Sequence, residues 1–357
     1  MLSIKTAIGI TALGLFSLAA PAAAATGWSS PQSASTGNLT DPSMVEDSVS
    51  VEHVVARGDT GIWYVTDKNG DWVRTRMTQD FDTHANGHTY HHAAVHPLIA
   101  INAGGTRTVV YGVQVTPGSC GSQGLVYTQR SGSSWSTPQS IPGTACETAT
   151  GLIVHGAKIY LATSHGTSRV SYFTNASGSW THVSVASGTH IGHASLTTYD
   201  GKPMLAYIKQ GHLIYARGQT STGNFTHVTA ATTGPGATSQ PSVAINPNNQ
   251  WQMIVWAQTD GTHYAYSNAH GWYSYHVMQG SVRALLAFDP NGHPKIVAAD
   301  GPGGLWYAER YNGSWHASRI DVHNISDLGG IGFGAETEIS YVRGTAHLYW
   351  VASYTGC

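Results

Sequence analysis

The stretch GLWYAERYNGSWHASRI, residues 304–320, decides how the whole chain is read. Tyr307 lies in an aromatic strand, Gly313 in a short polar turn, and Trp315, eight positions after the tyrosine, opens the return strand. The same skeleton recurs as IWYVTDKNGDW (Tyr64, Trp72), LVYTQRSGSSW (Tyr127, Trp135), VSYFTNASGSW (Tyr172, Trp180) and THYAYSNAHGW (Tyr264, Trp272). LIYARGQTSTGNF (Tyr215, Phe225) is a looser copy with two more residues in its turn. Each copy reads as a β-hairpin: alternating apolar residues, a turn rich in Gly, Asn and Ser, then a second strand. Repetition at a fixed spacing outranks any local signal.

A weaker module precedes each hairpin, as in QPSVAINPNNQWQMIVWAQ (240–258) and VRALLAFDPNGHPKIVAAD (282–300): two apolar strands around a Gly or Asn turn. Two hairpins make a four-stranded antiparallel unit of about 45 residues, the size of one propeller blade. The expectation is an all-β, seven-bladed β-propeller. Complete blades begin near Asp41, His96, Thr150, His193, Gln240 and Arg283. The seventh is shared: TGWSSPQSAST (26–36) resembles the return strand SWSTPQSIPGT (134–144) without its partner, and ETEISYVRGTAHLYWVASYTGC (336–357) breaks off at Tyr354, one repeat after Tyr307. Three strands from the C-terminus and one from the N-terminus would then close the ring and remove its open edges.

The chain opens MLSIKTAIGITALGLFSLAAPAAAA, a lysine, an apolar run and small residues, which reads as a secretory signal peptide over 1–25. Residues 26–357 are expected to form a single domain, secreted and extracellular, with no membrane span. Charged residues are 10% of the chain and the net charge is −2, with no basic patch, which argues against nucleic acid. Ser, Thr, Asn, Gly and His supply the polarity, as suits a neutral ligand such as a sugar. Of three cysteines, Cys120 and Cys146 bracket the Tyr127/Trp135 hairpin. In an oxidising compartment they are expected to form a disulfide. Cys357 is left over.

Candidate site residues follow from the fold. The inner strand of each blade starts on one common face of a propeller, at the mouth of the channel. Aligned on the repeats, the residues there are Asp41, His96, Thr150, His193, Gln240, Arg283 and Glu338. Such a ring suits carbohydrate binding or acid–base chemistry. If the protein is an enzyme, His96 and His193 are the candidate base and acid, and Arg283 and Gln240 the groups that would hold a substrate carboxylate. Otherwise Asp41, Gln240, Arg283 and Glu338 are candidate ligand contacts. The insertion QDFDTHANGHTYHHAAVHP (79–97) is the longest irregular segment, and it could lend His91 and His92 to the mouth. His84/His88 and His88/His92 have a helical metal spacing, but Gly87 and the aromatic run oppose a helix, so no metal or cofactor is expected.

The Tyr–turn–Gly–x–Trp motif, as in Tyr307 to Trp315, resembles secreted seven-bladed propellers of the sialidase-like (BNR-type) and fucose-lectin kind. The spacing from Gly313 to Trp315 is one residue shorter than a sialidase Asp-box, and no arginine set maps onto the sialidase triad. That resemblance therefore implies the fold rather than sialidase activity. HTYHHAAVHPLIAI (88–101) is similar to the His-rich approach of propeller polysaccharide lyases and rhamnosidases. In size and style the chain is also similar to actinobacterial propellers such as the dispase autolysis-inducing protein, which act on a protease by contact. The expected function is binding of an extracellular glycan or protein. The alternative is a lyase or hydrolase acting on a uronate- or deoxy-sugar-containing polysaccharide.

Overall fold

The computed structural model describes residues 26–34, 38–68, 71–117, 124–233, 240–279, 282–289, 291–333, 337–344 and 347–355. Every described element is a strand, and the strands form seven antiparallel sheets, the blades of a β-propeller. Five blades have four strands each. Blade two carries an extra hairpin strand, Phe81–Ala85, and its outer strand is broken around Pro138 into Ser134–Trp135 and Gln139–Ile141. Blade seven uses Ile325–Phe333, Thr337–Arg343 and His347–Thr355. The N-terminal segments Thr26–Trp28 and Gln32–Ser33 pair with its third strand, Trp28 opposite Ser353 and Gln32 opposite Trp350. Pro31 interrupts that segment as Pro138 interrupts its counterpart, since proline cannot donate to a ladder.

Burial follows strand order. Second strands lie between neighbouring blades, so Lys202–Lys209 (KPMLAYIK) and Gln252–Gln258 (QMIVWAQ) are buried along nearly their whole length and read as continuous apolar runs. Fourth strands face solvent, as in Gly271–Met278, where only the last residue is buried. Third strands often begin with a glycine three residues before the repeat tyrosine. At Gly304 (φ 98°) a Cβ would lie 2.1 Å from the Asp321 carbonyl oxygen, so only glycine lets the third strand start so close to the end of the fourth.

The repeated aromatics join consecutive blades. Tyr64 meets Trp135 edge-on at 5.3 Å, Tyr172 meets Phe225 at 5.6 Å, and Tyr264 meets Trp315 at 5.1 Å. Tyr127–Trp180 and Tyr215–Trp272 are tilted pairs at 5.8 and 5.3 Å. The series closes through Tyr307–Trp28 at 4.9 Å and Trp350–Trp72 at 6.2 Å. Edge-to-face pairs of this kind add to the apolar burial of each seam.

Three expectations need correction. The tyrosine position of blade seven is filled by Trp350, not Tyr354. The inner strand is Ile325–Phe333, so the segment from Thr337 is the second strand and Glu338 does not start the inner one. The cause is composition: ISDLGGIGF is too glycine-rich to read as a strand from its apolar pattern. The insertion is also ordered rather than irregular. Phe81–Ala85 pairs with the first half of the long strand His88–Ile101 around an Asn86-Gly87 turn, an arrangement favoured by the positive φ of both residues.

Candidate functional site: the channel mouth

Inner strands begin at the channel mouth, and several do so through a bulge. The register shifts between Thr40 and Ser43, Val95 and Leu98, Ala149 and Gly151, and Ile325 and Asp327. A bulge re-aims side chains that regular alternation would turn into the sheet stack. Asp41 (φ 46°) and His96 (φ 49°) occupy two of these bulges in the left-handed region, strain that such sites often carry.

The mouth is a cavity of about 210 Å3 lined by Asp41, His96, Thr150, His193, Gln240, Arg283 and Asp327, with Pro42, Pro97, Leu98, Thr148 and Ala149. Six of the seven ring positions read from the sequence therefore converge. The seventh is Asp327, not Glu338. An acidic residue near the end of the chain is the right chemistry at the wrong strand; Asp327 pairs with Arg283 across blades six and seven, a contact that carries no signal in the sequence.

The charges in the mouth are paired. His96 Nδ1 lies 3.2 Å from Asp41 Oδ2. Arg283 Nη1 donates to Asp327 Oδ1. The hydrogen bond that His96 donates to Asp41, with the negative charges of Asp41 and Asp327, overcomes burial and raises the His96 pKa. The same contact holds the Asp41 carboxyl below the usual range. His193 shifts the other way: burial, then the positive charges of His96 and Arg283, lower its pKa. Its Nδ1 hydrogen-bonds Ser164 Oγ at 2.5 Å, leaving Nε2 as its remaining polar atom. Gln240 Nε2 donates to the Thr150 carbonyl and, at 3.1 Å, to the Ala194 carbonyl, tying together blades three, four and five. Thr150 is 8% exposed, and its Oγ1 is buried with no hydrogen-bond partner among the described residues, a local cost to the fold.

His91 and His92 do not line this cavity. His91 Nδ1 pairs with Asp82 at 2.8 Å, and His92 stacks on Phe81 at 4.5 Å, both within the Phe81–Ala85 hairpin. The hairpin is rooted by Asp80, which takes a two-pronged contact from Arg57 at 2.9 and 2.6 Å. Among the described residues no group of three or more His, Cys, Asp or Glu is arranged to hold a metal ion. No described helix is long and apolar enough to cross a membrane. Cys120 and Cys357 lie outside the described residues, as does the expected signal peptide.

No protein-family model matches the sequence, and no curated protein matches it. Solved structures do match. A Trypanosoma rangeli sialidase in complex with the inhibitor DANA is 8% identical, with a TM-score of 0.50 over 89% of this chain and 55% of that one. The chain thus spans about half the length of that sialidase. A fucose-specific lectin from Aleuria aurantia is 12% identical, with a TM-score of 0.52 over 80% of this chain and 96% of the lectin. These likenesses agree with the seven-bladed propeller and show the fold alone.

Proposed function

We propose that the protein is a secreted glycan-binding propeller whose site is the channel mouth. One observation carries the reading: the mouth's charges neutralise each other as Asp41–His96 and Arg283–Asp327. What remains for a ligand is the His193 Nε2 and the Gln240 Oε1. Such groups hydrogen-bond the hydroxyls of a neutral sugar. The cavity is smaller than the roughly 300–1,000 Å3 of drug-sized sites, which suits one sugar ring. The lectin neighbour's fucose makes a neutral deoxy-sugar the first to try. The test is a glycan array followed by calorimetry on Gln240→Ala and His193→Ala. Neutral glycans should bind, and both variants should lose most of the affinity. Silence across the array, or full binding by both variants, would remove the mouth as the site.

A second reading is favoured by one feature: two histidines with opposite pKa shifts share the cavity. His96, its pKa raised, suits a general acid, and His193, its pKa lowered, suits a general base, as a lyase or hydrolase on uronate or deoxy-sugar polysaccharides would need. Against it, Arg283 and Gln240 are already engaged by Asp327 and by two backbone carbonyls. A panel of uronate polysaccharides, followed by ultraviolet absorbance of unsaturated product and by reducing sugar, decides it. Turnover abolished in both His96→Ala and His193→Ala would replace the binding reading.

Export by the segment 1–25 and a Cys120–Cys146 disulfide belong to the same proposal. Peptide mapping without reductant should recover those two cysteines in one linked pair. Cys357 linked to either would overturn that pairing.

A further inference from the structure

The two polar atoms left open in the mouth have fixed and opposite roles. Ser164 is fully buried, and among the described residues its hydroxyl has one partner, His193 Nδ1. A buried hydroxyl keeps its proton on an acceptor. Ser164 therefore donates to Nδ1, and the neutral imidazole carries its own proton on Nε2. Burial and the positive charges of His96 and Arg283 lower the His193 pKa, which keeps the ring neutral. His193 is exposed to the lumen, so it presents a donor there. Gln240 is set the other way. Its Nε2 contacts are the carbonyls of Thr150 and Ala194. Carbonyls only accept, so the amide cannot be flipped, and Oε1 is left as an acceptor. Ala194 follows His193 in the chain, which makes donor and acceptor neighbours. Leu98, Ala149, Pro42 and Pro97 give the same cavity an apolar wall.

We propose that the mouth selects sugars that carry an acetamido group. The group's carbonyl accepts from His193 Nε2, its N–H donates to Gln240 Oε1, and its methyl lies against the wall of Leu98 and Ala149. The inference rests on the glycan reading of the mouth and names the ligand class more narrowly. A hydroxyl serves as donor or acceptor alike, so hydroxyls alone give such a pair nothing to choose between. An amide holds one donor and one acceptor in a fixed plane, with a methyl beside them, and matches all three features in one orientation. It is also neutral, as the mouth requires: Arg283 is already engaged by Asp327 and His96 by Asp41, which leaves no cation to hold a substrate carboxylate. A ring nitrogen that carries its proton takes no other, so the same assignment weighs against His193 as a base.

The experiment is calorimetry of the full chain with the methyl glycosides of N-acetylglucosamine, N-acetylgalactosamine, glucose, galactose and fucose. Two hydrogen bonds gained together are worth roughly tenfold in affinity. At least one acetamido sugar should therefore bind about tenfold more tightly than its parent hexose. The O-acetyl ester of that hexose keeps the carbonyl and the methyl but lacks the N–H, and it should bind severalfold more weakly than the amide. Ser164→Ala frees the imidazole to move its proton, so the ratio of amide to parent should fall, and nitrogen NMR of the His193 ring should show Nε2 protonated in the unaltered protein only. The two ligand comparisons stand even where Ser164→Ala fails to fold. Equal affinity of acetamido and parent sugars, or of ester and amide, would overturn the inference and leave the mouth as a sugar site. N-acetylalanine methylamide binding as tightly as the best sugar would assign the donor–acceptor pair to a peptide and overturn the sugar class. No binding by any compound would overturn both readings.

Discussion

The seams between blades and the mouth of the channel are built from equivalent repeat positions with opposite outcomes. At the seams, blade after blade offers the same chemistry, an aromatic from one third strand against an aromatic from the next blade's outer strand, from Tyr64–Trp135 round to Trp350–Trp72. At the mouth, seven inner-strand starts offer Asp41, His96, Thr150, His193, Gln240, Arg283 and Asp327, with His as the most repeated type beside Asp. A position that must solve one packing problem seven times keeps one solution. A position that faces a single shared lumen is free to differ, and its differences add up to one asymmetric site. Repetition in this chain therefore marks stability, and departure from repetition marks the candidate site.

The most severe way to test the seam side is to delete residues 26–34. Blade seven would lose Thr26–Trp28 and Gln32–Ser33, baring the edge of His347–Thr355 and leaving Tyr307 without Trp28. The expected result is loss of the monomer and aggregation. Light scattering that shows a monomer with an unchanged melting temperature would mean that closure does not depend on the shared blade.

Tyr264→Ala comes next. Tyr264 is fully buried and packs edge-on against Trp315. The loss should be about 3–5 kcal/mol by urea unfolding. Glycan affinity at a temperature where the variant stays folded should not change. If affinity falls as far as stability does, seam and mouth are not separable.

A third test is alkaline. Burial pushes Tyr111 and Tyr207 up to about 12 and raises Tyr172, Tyr215, Tyr264 and Tyr307 further. A folded pKa above the unfolded value of about 10 contributes stability that is complete below pH 10 and is lost as pH rises toward the folded values. Urea midpoints should therefore fall between pH 10 and 12. A midpoint that stays level to pH 11.5 would mean that these phenols are not buried as described.

The smallest expected stability effect is at the mouth. His96 and Asp41 are both substantially exposed, and exposed pairs contribute little. His96→Ala should shift unfolding by no more than about 0.5 kcal/mol. The same variant should weaken glycan binding severalfold and change its pH dependence, since His96 gains its proton on a raised pKa. A large loss of stability would place His96 with the seams.

How much of the site was legible varies with the local signal. Asp41, His96, Thr150, His193, Gln240 and Arg283 were found because each precedes a recognisable apolar strand, so the repeat alignment carried them to the mouth. Asp327 escapes the repeat alignment because its strand contains Gly329, Gly330 and Gly332, and the next apolar run points to Glu338 instead. Gly329 and Gly330 let that strand approach its neighbours: a Cβ at Gly330 would lie 2.9 Å from Met44 Cβ of blade one, and one at Gly329 3.0 Å from Pro42 Cβ. The glycines that admit close packing at the ring's closure are the ones that hide the strand from a periodicity argument. His91 and His92 were drawn to the mouth by proximity in sequence to His96, but the Asn86-Gly87 turn folds them into a separate hairpin.

The sequence by itself determined the all-β class, the number of blades and the sharing of the last one. Those follow from short-range patterns, aromatic spacing and turn residues, repeated often enough that no single ambiguous copy matters. Only the tertiary structure decided which way each mouth residue points, and that Arg283 reaches Asp327 and His96 reaches Asp41. The physical reason is that a strand's side chains alternate faces with every residue, and a single bulge reverses the alternation. Bulges interrupt four of the seven inner strands and leave no local mark in the residues themselves.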